Sequence, residues 1–195
     1  MKLEAMMEDL KNKLSKGRWI HSSGVAASAK ALAARYGADE DDAYVAGWLH
    51  DCAKELSLLD MQKVVLKENL NLDPFMLKSR ALLHGPAGSV LAKTRYGISN
   101  GQILKAIYYH TTGRPSMSLL EKILFLADYI EPSRDFPGVE VLRSLAMQDL
   151  DSAMVAAYDA TLRHLIDQGV FIYPLTVEGR NDLILKRFAH REDKK

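Results

Sequence analysis

Four histidines and two aspartates in this sequence sit where they could share work. The stretch Leu49 to Glu55, LHDCAKE, ends an apolar run and places His50 directly before Asp51, with Lys54 four residues after the histidine. His21 precedes two serines and a glycine, His84 precedes Gly85-Pro86, and His110 precedes two threonines and Gly113. Each is expected at or near a helix end. Asp128 completes the set. Six of the seven residues from Ile123 to Tyr129 are apolar, so its carboxylate is expected to point into the protein. A buried carboxylate is costly unless a cation, a hydrogen-bond network or a proton offsets it.

His21, His50, Asp51 and Asp128 together supply two imidazoles and two carboxylates. Nitrogen–oxygen sets of this kind suit iron, manganese or zinc. His50 and Asp51 are then neighbours because both reach one ion. His84 and His110 either complete a second metal site or contact a phosphate. If the helix runs on through Lys54, that ammonium shares the face of His50 and can hold an anion beside the metal. A cation with an open coordination position acidifies bound water and polarises a phosphoryl oxygen. A neighbouring ammonium neutralises a non-bridging oxygen. Asp51 and Lys54 are therefore the candidate catalytic side chains of a phosphohydrolase, and neither a P-loop nor a glycine-rich dinucleotide fingerprint accompanies them. Any one of these residues alone is more often structural. Their order along the chain is what points to a site. His164 and His190 read as surface residues, and Cys52 as a small buried one.

Helices must carry this set. Helix-period runs fill the chain between Gly and Pro punctuation: EAMMEDLKNKLS, SSGVAASAKALAARYG with Gly37 as its stop, DEDDAYVAGWLHDCAKEL with acids at its start, and SLLDMQKVVLKENL. PFMLKSRALLHGPAGSVLAKTRYG reads as two helices divided near His84-Gly85-Pro86. NGQILKAIYYHTTG, the strongly apolar SLLEKILFLADYIEP, DLDSAMVAAYDATLRHLIDQG and a fraying NDLILKRFAHREDKK follow. GVFIYPLTV is the one strand candidate, weakened by Pro174. The expectation is a single all-α domain.

Bulk properties narrow the function classes. The formal net charge of +1 provides no general field for nucleic acid or an acidic membrane, so any polyanion site must be local. No basic stripe with interleaved aromatics marks a nucleic-acid interface. A single cysteine excludes a disulfide framework and a CxxC zinc site, and fits the cytoplasm. The charged, helical N-terminus lacks the apolar core of a signal peptide, and no apolar stretch of about 18 residues marks a membrane span. The apolar helices could pair two chains as a homodimer or could equally form the core.

The strings RWIHSSGVA, LHDCAKEL, LLHGPAGSVLAK, HTTGRPSMSLLEKILFLADYIEPSRDFPGV and FIYPLTVEGRN resemble the YqeK family, within the HD-domain superfamily of metal-dependent phosphohydrolases. The resemblance runs from Arg18 to Asn181. It implies an all-helical HD-domain bundle with its core at residues 18–135 and C-terminal helices from 140 to 195 packed on it. It implies symmetrical hydrolysis of diadenosine tetraphosphate to two ADP, with bound ferrous iron, or manganese or another divalent ion in its place. By the same resemblance His21, His50, Asp51 and Asp128 match the metal ligands, and Lys54, His84 and His110 face the phosphates. Arg134 matches an arginine near the nucleotide. Arg18 and the segment Phe171, Ile172, Tyr173, Pro174, Leu175, Thr176 match the rim of the nucleotide pocket. One departure stands out: the family commonly has histidine before the proline of YPLT, where this chain has Tyr173, a residue that can still stack or donate a hydrogen bond. Another HD nucleotide phosphohydrolase or phosphodiesterase, or a non-catalytic nucleotide-binding HD module, are the alternatives.

Overall fold

Local signals start and stop most of the helices. Ser15, Asp39, Ser57, Asp73, Asn100, Ser118 and Asp149 each cap a helix N-terminus by accepting a backbone N–H. The computed structural model describes residues 3–192, with side chains described through residue 187. Its helices are α1 (Leu3–Lys13), α2 (Lys16–Tyr36), α3 (Glu40–Leu49), α4 (Leu58–Lys67), α5 (Pro74–Lys78), α6 (Arg80–Thr94), α7 (Gly101–Tyr109), α8 (Leu119–Ile130), α9 (Val139–Gln148), α10 (Leu150–Asp167) and α11 (Pro174–Glu192). No strand occurs among the described residues, and none of these helices is long and apolar enough to cross a membrane.

The centre is α8. Ser118 and Glu121 close a capping box at its start, and Ile123 to Ala127 are all buried. Glu121 itself is fully buried against a bidentate Arg114, at 2.7 and 2.9 Å. Helices α2, α3 and α7 pack around α8 on one side, and α9 and α10 on the other. α6 lies on α7 and carries α4, over a smaller cluster of Met61, Val65, Met76, Leu83 and Ala87. α11 packs on α10.

Several boundaries differ from the sequence reading. α2 begins at Lys16, so His21 lies inside a helix. His84 also lies inside one, because α6 runs unbroken through Pro86; the division falls at Ser79. The residue before that proline is Gly85, which has no Cβ to clash with the ring. α3 stops at Leu49, and His50 to Glu55 form successive tight turns, with Cys52 N–H bonding Leu49 O, Lys54 N–H bonding Asp51 O and Leu56 N–H bonding Ala53 O. Lys54 is therefore not on a helical face with His50. The strand candidate is a loop running into α11, whose first residue is Pro174, a position where its missing N–H costs no helical bond. His164 is exposed, as expected, whereas the side chain of His190 lies outside those described.

Two glycines set the spacing of the helices that carry the histidines. A Cβ at Gly47 would collide with the Ala26 backbone of α2, and one at Gly85 would lie 2.7 Å from Tyr108 O of α7. Neither obstacle is a flexible side chain, so α2–α3 and α6–α7 must move apart to admit a methyl group. Gly47→Ala is expected to destabilise by about 1–3 kcal/mol through overpacking. Calorimetry should show a melting temperature lower by roughly 2–4 °C per kcal/mol; an unchanged Tm would mean the helices yield at no cost.

Candidate metal centre

Two helices end on the site. His50 and His110 are the C-caps of α3 and α7, and each ring turns back on its own helix. His50 Nδ1 donates to Gly47 O at 2.7 Å, and His110 Nδ1 donates to Ile107 O at 2.7 Å. These bonds satisfy carbonyls left free at a helix end. They also fix the tautomer and aim each Nε2 lone pair inward. His21 reaches the same point from the second turn of α2, with Nδ1 donating to Glu131 Oε1 at 3.0 Å. Asp128, in the last turn of α8, brings Oδ1 to 3.1 Å from His21 Nε2 and 3.9 Å from His50 Nε2. Asp51, in the first turn after α3, places Oδ2 3.5 Å from His50 Nε2 and 3.8 Å from His21 Nε2.

These atoms cannot all keep their lone pairs uncompensated. His21 Nε2 and His50 Nε2 face each other at 3.2 Å while both Nδ1 atoms already donate. In neutral rings both facing atoms are acceptors, so a proton or a cation must lie between them. Ligands about 2.1 Å from a first-row cation stand roughly 3.0 to 3.4 Å apart at right-angled or tetrahedral geometry. The separations of His21 and His50 from each other and from Asp51 and Asp128 run from 3.1 to 3.9 Å, close to that spacing. The residues present therefore fit a divalent first-row metal.

A second set adjoins the first. Asp51 Oδ1 is buried and makes no hydrogen bond, although His84 Nε2 lies 3.2 Å away and His110 Nε2 3.6 Å away. Those two nitrogens are 3.0 Å from each other. The two oxygens of Asp51 thus face two donor sets, and both sets are spaced so that one ion could be shared.

Cations close the mouth. Lys54 Nζ lies 3.0 Å from His84 Nε2 and 3.7 Å from Asp51 Oδ1. Arg18 Nη1 donates to Asp51 Oδ2 at 2.5 Å. Arg134 donates to Asp128 Oδ1 at 2.6 Å and to its backbone carbonyl at 2.9 Å. Burial alone would raise both aspartates, yet His50, His110 and His84 hold Asp51, and His21, His50 and Arg134 hold Asp128, well below the usual carboxylate range. Burial, reinforced by His110 and Lys54, pushes the His84 imidazole down to about 4. Burial likewise lowers Lys54, against the pull of Asp51 and Asp128.

Sequence reasoning missed Glu131, which is 1% exposed and anchors His21 while accepting from Ser133 N at 2.7 Å. The signal was present: an acid between an apolar helix and Pro132. Thr111 was also missed; its Oγ1 lies 3.1 Å from His84 Nε2 and 3.2 Å from His110 Nε2. Thr111 also lines an apolar pocket of about 510 Å³. Phe171, Tyr173 and Thr176 line that pocket too, whereas Ile172, Pro174 and Leu175 are not among its lining residues. Tyr173 donates its hydroxyl to Asp73, the N-cap of α5.

The sequence matches the HD-domain family over residues 18–133. The chain belongs to this family. Its relatives place it in the YqeK branch. A Halalkalibacterium halodurans protein named symmetrical bis(5'-nucleosyl)-tetraphosphatase is 41% identical over 178 residues, covering 91% of this chain and 95% of that one. A Bacillus subtilis protein of the same name is 37% identical over 184 residues, covering 94% and 98%. A crystal structure from Clostridium acetobutylicum, described as a predicted HD superfamily hydrolase involved in NAD metabolism, superposes with a TM-score of 0.93 at 42% identity, covering 95% of this HD-domain chain and 98% of that one.

Glu131→Gln keeps the shape beside His21 but removes the carboxylate that accepts its Nδ1–H and holds the ring in place. Such outer partners typically contribute 10–100-fold to metal affinity. Chelator competition should show divalent-metal binding weakened by about tenfold or more; unchanged affinity would mean the Glu131–His21 bond does not support a metal ligand.

Proposed function

We propose that this HD domain is a divalent-metal-dependent phosphohydrolase that cuts diadenosine tetraphosphate, and related dinucleoside polyphosphates, symmetrically to give two ADP. The observation that carries the metal chemistry is the pair of facing Nε2 atoms of His21 and His50, 3.2 Å apart with both tautomers fixed. The substrate follows from the names borne by the Halalkalibacterium and Bacillus relatives, which align with this chain over nearly their whole length.

His21, His50, Asp51 and Asp128 are assigned as ligands. From the resemblance to the YqeK family we take the ion to be ferrous iron; the nitrogen and oxygen donors suit manganese or zinc equally. When bound, it would lower the pKa of a water and polarise a phosphoryl oxygen. The catalytic unit is assigned to residues 18–135, with the helices beyond 140 packed on it, and the compartment to the cytoplasm, where Cys52 stays reduced.

The remaining residues handle the polyphosphate. Lys54 neutralises a non-bridging oxygen on the phosphorus under attack. His84, neutral at pH 7, hydrogen-bonds there without adding charge, and His110 with Asp51 Oδ1 completes either a second cation site or a phosphate contact. Arg18 and Arg134 bond carboxylates in the free protein; phosphate offers each an alternative bidentate partner. Water attacks the phosphorus beside the central bridging oxygen, a P–O bond forms, the bond to that oxygen breaks, and one ADP leaves while the other remains. The apolar pocket beside Thr111, rimmed by Phe171 and Tyr173, holds a nucleoside, which fixes how many phosphates reach the metal.

The test is anaerobic loading with ferrous iron, addition of diadenosine tetraphosphate and chromatography of the products. ADP alone is expected. AMP with ATP would overturn the register, and no product would favour a binding module. Asp51→Ala should lose both metal and turnover, and a fully active variant would sink the scheme. Lys54→Ala should retain metal while kcat falls about 10²–10³-fold, the effect of removing one charge-stabilising donor; loss of metal would reassign Lys54 to the ligand sphere.

A further inference from the structure

The proposed substrate has two nucleosides, and the site has room beside the metal ligands on two sides. The first side is the apolar pocket already described, where Phe75 and Phe171 stack at 4.4 Å with an interplanar angle of 5° although each is more than half exposed. The second is a cavity of about 440 Å³ between Tyr129, Arg134, Phe136, Ala160 and His164. Clefts of 300–1,000 Å³ are the usual size for small-molecule sites. Tyr129 and Phe136 meet edge to face at 5.3 Å and 76°, leaving ring surface along the cavity wall.

α10 is the partition between them. Thr161 and Leu165 line the first pocket, whereas Ala160 and His164 line the second. Each pair is spaced i, i+4, and the pairs are one residue out of step, so they lie on adjacent stripes of one helix. Each pocket also touches the ligand cluster at a different point. Thr111 connects the first to His84 and His110, and Arg134 connects the second to Asp128. A substrate spanning the metal centre therefore has an aromatic-walled pocket at each end.

We infer that the cavity between Tyr129, Phe136 and His164 is a second nucleoside subsite, which takes the far half of a dinucleoside polyphosphate. This rests on the tetraphosphatase reading. Tyr129 and Phe136 offer faces or edges to a base, a contact tolerant of base identity because every base has a π face. The exposed His164 imidazole can hydrogen-bond base or ribose. Arg134, at the junction, serves the phosphates of that half. The two subsites differ in chemistry, one walled by aromatic, aliphatic and hydroxyl side chains with Lys78 and one carrying an arginine and an imidazole, so they bind the two identical halves unequally.

Calorimetry of ADP binding to the metal-loaded protein tests this without turnover. Two ADP per chain are expected, and Ala160→Trp, which fills the cavity from α10, should leave one. His164→Ala, at an exposed position on α10, should weaken the second ADP while retaining the first. In kinetics the preference for diadenosine tetraphosphate over adenosine 5'-tetraphosphate, which lacks the far nucleoside, should fall roughly tenfold in Ala160→Trp, since a lost base contact is worth about that factor. One ADP per chain in the unmodified protein, or two retained in both variants, would overturn the subsite. Two bound ADP without hydrolysis of either tetraphosphate would overturn the hydrolase reading and leave the subsite standing.

Discussion

Asp51 sits among four imidazoles with a side chain only 3% exposed, and the surrounding helices are arranged to make that tenable. His84, His50, His110 and His21 approach its oxygens at 3.2, 3.5, 3.6 and 3.8 Å. They come from four separate helices or helix ends. An unpaired buried carboxylate would be too costly to keep ionised. Concentrating acceptor nitrogens around it raises the cost further unless positive charge is supplied. Arg18, Lys54 and Arg134 supply part of that charge from the rim, and the facing imidazole nitrogens leave room for more, as protons or as metal. Metal binding and local stability are coupled, because whatever binds the folded cluster and not the unfolded chain stabilises the fold.

The electrostatics are layered. The carbonyl ends of α3 and α7 adjoin the cluster through the His50 and His110 rings, and a helix C-terminus carries partial negative charge. Together with Asp51, Asp128 and Glu131 they make the floor a place for cations. Arg18, Lys54 and Arg134 form the rim, where polyphosphate charge would lie. Hence a chain with a net charge of only +1 can attract a polyanion, since attraction depends on the local field and not on the total.

Rigidity comes from the packing behind the site. α8 is buried on most of its surface and is held at its start by the Arg114–Glu121 pair. That placement fixes Asp128 and Glu131 at its other end. Gly47 and Gly85 let α3 and α6 approach their neighbours closely enough for the rings to meet. A shift of even a methyl's width would separate donor atoms that now stand about one coordination edge apart.

Much of this was legible in the residues. Helical periodicity and capping residues act within a few positions, so the all-α class, the apolar α8 and the inward Asp128 followed from local pattern. His50-Asp51 beside an apolar run announced a buried charge that needed a partner. The sequence could not show that Pro86 stays inside α6, that α3 ends before Asp51, or that FIYPLTV is a loop and helix start. Those outcomes depend on what packs against each segment: Gly85 on Tyr108 O, His50 turned back on Gly47, and Tyr173 bonded to Asp73. Glu131 is the clearest case, since its partner His21 is 110 residues away. Residue types and local spacing determined which groups could do chemistry. Only the tertiary structure decided which atoms face one another, because tautomer, orientation and pocket walls are set by contacts between distant parts of the chain.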